Sequence, residues 1–248
     1  MIWVINVAFL GLVALITAYL TRHYIFTLAA LYHQKEPLTY DEPYEPTVSV
    51  MIPARNEEYV IDRVLQRMTE LTYPKEKFEV IVIDDASTDK TGEKAKVFAK
   101  GHSYIHVIQR NKDEGGKGKP EALNDGLKHV SGELIFCFDA DYYPQRDIIE
   151  KLAASFRDPK VGAVQGRVTV LNEPDSIVTR LVALERTGGY RVDQYARNEL
   201  ELISQFGGTV GGFRRSLIEK LGGWDPNILA EDTDLTFKIY LAGFKVKY

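Results

Sequence analysis

A single cysteine in 248 residues, Cys137, excludes an internal disulfide framework and any multi-cysteine zinc site, and is compatible with a reducing compartment. Its apolar neighbours make it a core residue. Five histidines show no His-Glu-x-x-His or comparable ligand spacing, so zinc hydrolysis has no basis. No long run of one charge occurs. With 31 basic against 35 acidic residues the formal charge is −4, which lacks the basic footprint of a nucleic-acid binder. The absence of a fixed-period repeat or low-complexity tract excludes solenoids and tails. What is abundant is apolar: 45% of residues are hydrophobic, enough for one substantial core or two small ones beside a membrane segment.

Ile2 to Leu20 is apolar except for Asn6, Thr17 and Tyr19. About 20 helical residues at roughly 1.5 Å each cross a hydrocarbon core of roughly 30 Å, so this stretch reads as a transmembrane anchor. A cleaved signal peptide is the rival, but no basic stretch precedes the run and no small-x-small site follows it. Arg22 and Lys35 come after the span, which by the positive-inside rule places the remainder on the cytoplasmic side of a cell membrane. Tyr24 to Tyr32 either lies along the headgroups or extends the first helix. Residues 1–36 are therefore expected as the anchor, and 37–46, with Pro37, Pro43 and Pro46, as a linker.

From residue 47 the periodicity alternates. Strands are expected at Val48 to Ile52, Glu79 to Ile83, Ile105 to Gln109 and Leu134 to Phe138. Helices are expected at Glu57 to Thr69, Thr88 to Lys100 and Glu121 to His129. This alternation implies βαβ units, an α/β class and a mostly parallel, helix-covered sheet that binds ligands at the carboxyl ends of its strands. Beyond Asp141 the reading gives a helix from Asp147 to Phe156, a strand near Val161 to Val170 and a long helical stretch from Ser176 to about Leu202.

The polar clusters fall at those strand ends. Asp139-Ala140-Asp141 follows Leu134 to Phe138, and residues two apart on a strand point to one face, roughly 6 to 7 Å apart at Cα. A hard cation, Mg²⁺ or Mn²⁺, takes one or two carboxylates plus substrate phosphates, which such a pair can offer; a solvated acidic turn fits the bare motif as well. Pro53-Ala54-Arg55-Asn56-Glu57 offers polar edges for a base or ribose, or an ordinary turn with Asn56 capping a helix. Asp84-Asp85-Ala86-Ser87 can accept from a nucleobase N–H, or open a helix whose dipole favours acids. Glu114 to Asn124 joins glycines to Lys117 and Lys119, which can pair with phosphates, but it lacks Walker spacing. Gly207 to Arg215 is glycine-dense enough to pack against a sugar or to turn a hairpin. Glu231-Asp232-Thr233-Asp234 opens a helix with an expected apolar face of Leu235, Ile239 and Ala242.

In order and spacing these clusters resemble the family 2 inverting glycosyltransferases of the GT-A fold, from Val48 through the rest of the chain. Pro53 to Glu57 is similar to the family's opening Pro-x-x-Asn-Glu, Asp84 to Ser87 to its Asp-Asp-x-Ser, and Gly118 to Asn124 to its Gly-Lys-x-x-Ala-Leu-Asn; the Asp-x-Asp and Glu-Asp come after them. The resemblance implies a nucleotide-sugar half at 47–141 and an acceptor half at 142–248. It also implies that Asp139 and Asp141 hold metal and diphosphate, that Ala54, Glu57, Asp84 and Asp85 hold the nucleotide, and that Lys119 contacts it nearby. Asp232 inherits the general-base role, with Glu231 beside it. Gly207 to Arg214, with Gly208, Thr209 and Arg214, resembles the acceptor-side loop of membrane-bound cellulose, mannan, hyaluronan, poly-N-acetylglucosamine and glycolipid synthases.

The same resemblance implies a UDP-sugar donor, a glycan or lipid acceptor, and Mg²⁺ or Mn²⁺ as cofactor. Those synthases carry Gln-x-x-Arg-Trp and further transmembrane helices downstream, and Tyr248 precedes both, so a truncated chain is expected. Inversion needs one base and one metal, because a metal-bound nucleoside diphosphate leaves without protonation. The rival class is a membrane-tethered scaffold subunit that binds nucleotide sugar without turnover. A haloacid dehalogenase-type phosphatase is disfavoured, since its Asp-x-Asp follows the first strand and not the fourth.

Overall fold

The apolar run that opens the chain forms one helix, α1 (Ile2–Tyr32), in a computed structural model that describes residues 2–32 and 44–248. Among the described residues it is the one helix long and apolar enough to cross a membrane. Every side chain from Ile2 to Thr21 is exposed. The expected linker lies outside the described residues up to Pro43.

By packing, the described residues form two units, one of 2–32 with 167–204 and one of 44–166 with 205–248. The packing thus divides around residues 167 and 204. In the first unit, Ser176 caps α6 (Ile177–Thr187), donating and accepting across a reciprocal box with Thr179. A π-helical turn, Gly188–Gln194, carries this helix on into α7 (Tyr195–Glu199), so the long helical stretch expected from Ser176 is present. Phe26 and Ala29 of α1 pack on Ala196 with Val192 alongside, and Arg22 pairs with Asp193.

The second unit is built on one seven-stranded sheet. Its first strands are β1 (Val48–Ala54), β2 (Phe78–Asp84), β3 (Ile105–Gln109) and β4 (Leu134–Cys137), and its last are β5 (Val161–Gln165), β6 (Gly211–Arg214) and β7 (Lys245–Lys247). The spatial order is β3-β2-β1-β4-β6-β5-β7. Successive strand residues face opposite ways, and both faces are apolar. Val80 and Val82 enter one core cluster with Val50, Ile52 and Phe136, while Ile81 and Ile83 enter another with Met51, Ile135 and Cys137. Strands covered on both sides read as unbroken hydrophobic runs, which is why β1, β2 and β4 were legible.

The sheet is mixed, and this corrects the expected mostly parallel arrangement at one side. β1 to β4 pair in parallel, as do β5 and β7, but β6 runs antiparallel to both β4 and β5. Neither β6 nor β7 was expected, and β5 ends at Gln165. Helix starts also differ. α2 (Ile61–Thr69) begins four residues beyond Glu57, because Asn56 adopts φ +57° and joins two loops instead of capping. α3 (Thr91–Gly101) begins after Asp89, whose carboxylate accepts from the Thr91 N–H at 2.9 Å. α4 (Lys119–Leu127) opens with Pro120 in its first turn, where a missing N–H costs nothing. After α5 (Ile148–Ala154) and α8 (Arg215–Lys220), α9 (Glu231–Leu241) buries Leu235 and Ile239 as expected, while Ala242 falls past its end and is exposed.

Candidate active site

Strand order gathers the clusters. β2, β1 and β4 are adjacent and parallel, so Asp84-Asp85, Ala54 to Glu57 and Asp139 to Asp141 emerge at one edge. Because β6 is antiparallel, with Gly211 opposite Cys137, the loop 207–210 that precedes it arrives at the same edge. The two first loops are sewn together: Asn56 accepts from the Thr88 N–H at 2.8 Å and donates its own N–H to Ser87 Oγ at 3.0 Å. Ala54 accepts from the Asp85 N–H at 2.9 Å.

The paired aspartates of β2 are almost fully buried and are engaged by the fold. Asp84 accepts from the Ser87 N–H at 3.1 Å and from the Gln109 amide at 3.3 Å, and it abuts Gly92. Both of its oxygens are thus engaged within the fold. Asp85 pairs with buried Arg110 and accepts from the Gly116 N–H at 2.9 Å with the same oxygen, Oδ1, which ties it to the glycine-rich turn. Arg110 also reaches the Glu114 carbonyl at 2.7 Å.

At the end of β4 the arrangement changes. The Asp139 N–H donates to Thr209 Oγ1 at 3.1 Å, and the Asp139 carboxylate pairs with Lys119, which also donates to the Gly208 carbonyl at 2.8 Å. Arg63 holds the Asp141 carbonyl at 3.0 Å, leaving the Asp141 carboxylate exposed. Glu57 belongs to the same neighbourhood: burial, then the charges of Asp141, Asp89 and Asp139, push its carboxyl above the usual range.

Asp232, at the start of α9, meets this group through Gly208. Gly208 sits at φ +82°, and a side chain there would strike the Asp232 carboxylate, so only glycine permits the approach. Burial first, then Glu231, push the Asp232 carboxyl up to about 6, against the lowering effect of Lys119. Among the described residues its carboxylate accepts no hydrogen bond. A half-buried carboxylate that ionises near neutrality without a donor is suited to accepting a proton.

One residue of this site escaped the sequence reading. Gln165, buried at the end of β5, donates to the Thr209 and Gly166 carbonyls at 2.9 and 2.7 Å and accepts from the Gly207 N–H at 2.7 Å. It clamps the loop that carries Gly208 and Thr209. Val210, at φ +55°, is held in a conformation unusual for a β-branched residue by bonds from its N–H to Cys137 and from Gly166 to its carbonyl. Arg214 is not brought to the site. It pairs in register with Leu134, five residues and about 16 Å of strand from Asp139, and its guanidinium serves the carbonyls of Phe156, Asp158 and Val161.

The donor set for a metal is two carboxylates, with no group of three or more potential ligands among the described residues. All-oxygen donors, crowded enough to raise Glu57, fit a hard divalent cation that completes its shell with water and phosphate.

The sequence profile of the family described as Glycosyl transferase family 2 matches residues 49–222. The chain belongs to that family. The match includes Asp84, Asp85, Lys119 and Asp139 to Asp141 but stops short of Asp232, whose assignment rests on geometry and the family resemblance. Family 2 relatives include a Bacillus subtilis protein called probable glycosyltransferase YdaM, 39% identical over 82% of this chain and 49% of its own length. The beta-monoglucosyldiacylglycerol synthase of Nostoc sp. is 35% identical over 79% of this chain and 42% of its length. The chain spans about half the length of these curated relatives. Among solved structures, the mannosyltransferase PcManGT from Pyrobaculum calidifontis, in complex with GDP-Man and Mn²⁺, superimposes with a TM-score of 0.75 at 29% identity, over 95% of this chain and 64% of that one. The fold is accordingly GT-A-like, a mixed sheet with flanking helices.

Proposed function

We propose that the chain is the membrane-anchored catalytic part of an inverting glycosyltransferase that moves a hexose or N-acetylhexosamine from a UDP-sugar to a polysaccharide or lipid acceptor. The observation that carries this reading is Asp232, raised to about 6 beside the Lys119–Asp139 pair and approached through Gly208. Asp232 takes the proton of the acceptor hydroxyl as that oxygen bonds to the anomeric carbon, and the bond to the diphosphate breaks on the opposite face, its electron pair leaving with UDP. Glu231 keeps the Asp232 carboxyl basic by its charge. Lys119 is placed to meet diphosphate charge. Mg²⁺ or Mn²⁺ held by Asp139 and Asp141 would supply Lewis-acid stabilisation of the departing diphosphate.

Asp85 is the carboxylate of its pair left for the base, accepting from uracil N3–H, a donor that cytosine lacks. Guanine has a comparable N–H, and PcManGT carries GDP-Man, so the discriminating competitor is GDP as well as CDP. Similarity to a glycolipid synthase supports the lipid acceptor, and 28% identity to the poly-beta-1,6-N-acetyl-D-glucosamine synthase of Staphylococcus aureus supports the polysaccharide. With α1 across a cell membrane and Arg22 just beyond its apolar run, the transferase unit faces the cytoplasm. Full-length protein in membranes, given UDP-glucose, UDP-N-acetylglucosamine or GDP-mannose with Mn²⁺, should consume a UDP-sugar and stop on chelation. Consumption of GDP-mannose alone, or indifference to chelator, would contradict the donor and metal assignments.

A further inference from the structure

The segment from Arg167 to Ser204 carries apolar surface that its own packing leaves uncovered. On α6, Ile177, Leu181 and Leu184 are 76, 60 and 68% exposed, and Val178 beside them is 64% exposed. At 3.6 residues per turn they share one face, Arg180 flanks it, and Arg186 falls on the opposite side. Ala183, buried, points away from that face.

What covers this face can be read from depth along α1. About 20 residues of helix at roughly 1.5 Å each span the hydrocarbon, which leaves Arg22 to Tyr32 at the level of the headgroups. There α1 meets the second segment: Phe26 and Ala29 pack on Ala196 and Val192, and Arg22 pairs with Asp193, itself held by Arg197 at 2.7 Å. Leu184 and Leu181 lie eight and eleven residues before Val192 on the continuous helix, about 12 and 17 Å along its path. An apolar face tethered that close to the point where α1 leaves hydrocarbon is within reach of a lipid leaflet.

We propose that α6 docks on the membrane surface, its Ile177, Val178, Leu181 and Leu184 face entering the acyl boundary and Arg180 meeting headgroup phosphate, so that Arg167–Ser204 is a second membrane-contact element joined to α1. This rests on α1 being a membrane span. Arg186 stays on the aqueous side.

Spin labels at Leu12→Cys, Leu181→Cys and Arg186→Cys, one per full-length protein in phosphatidylcholine–phosphatidylglycerol nanodiscs, test it by collision with oxygen against an aqueous nickel chelate. Cys137 can remain, because it is buried and burial pushes its thiol up, out of reach of labelling. Labels at 12 and 181 should favour oxygen severalfold, and the label at 186 should favour nickel. A lipid-exposed label at 12 with a nickel-accessible label at 181 overturns the inference and leaves the anchor standing. Shielding of 181 from both probes overturns it too, since protein would then cover the face. Nickel access at 12 removes the membrane span itself.

Discussion

Asp84, at the end of β2, is 1% exposed with Ser87 and Gln109 on its two oxygens, whereas Asp232, in the same unit, is half-buried with no donor on its carboxylate among the described residues. The residue type is the same and the treatment is opposite. A buried carboxylate that is fully bonded contributes to the fold and has little left to accept. One that is buried and unbonded is costly to ionise, and that cost makes it basic enough to take a proton.

The largest expected break in this contrast is Asp232→Asn. Transfer by the full-length enzyme should fall by about 10²- to 10⁴-fold, while the melting temperature at pH 7.5 should not fall. The sign comes from the raised carboxyl: the unfolded chain releases this proton near pH 4, the folded chain near 6, so stability declines across that window and the penalty persists above it. At roughly 3 kcal/mol it exceeds the roughly 0.3 to 1 kcal/mol that an acid gains at a helix start. Loss of stability with transfer retained would make Asp232 a helix-opening residue.

Asp85→Ala should lower stability as well as UDP affinity, costing about 3 kcal/mol of folding free energy by leaving Arg110 buried beside weaker partners, Glu121 at 3.4 Å and Asp125 at 3.6 Å. Urea denaturation reads it, and an unchanged midpoint would mean that Arg110 re-pairs. Gln165→Leu sharpens the comparison further. It removes two bonds to the 207–209 loop and one to Gly166, at about 1 to 2 kcal/mol in total, and kcat should drop more than the stability loss explains, because Gly208 and Thr209 would no longer hold Lys119 and Asp139. Equal kcat with lowered stability would reduce Gln165 to a structural residue.

Much of this was legible in the sequence, and what was not has identifiable causes. β1, β2 and β4 are apolar on both faces and end in polar clusters, so runs and their ends were visible. β6 reads Gly-Gly-Phe-Arg and has no strand pattern of its own. It is a strand because β4 and β5 flank it, with Gly212 so close to Ile135 and Phe136 that no side chain fits. Gln165 was invisible because its partners lie 42 and 44 residues downstream. The position of Arg214 is likewise set by tertiary structure, since β6 carries that residue back across the sheet to pair with Leu134.

The most direct test is the pH dependence of kcat/KM for transfer by the full-length enzyme with saturating Mn²⁺. The account predicts that the rate rises with unit slope through a pKa of about 6 as Asp232 loses its proton, and that Asp232→Asn abolishes this limb along with most of the rate. A profile flat from pH 5 to 8, or the same limb surviving in Asp232→Asn, would contradict it.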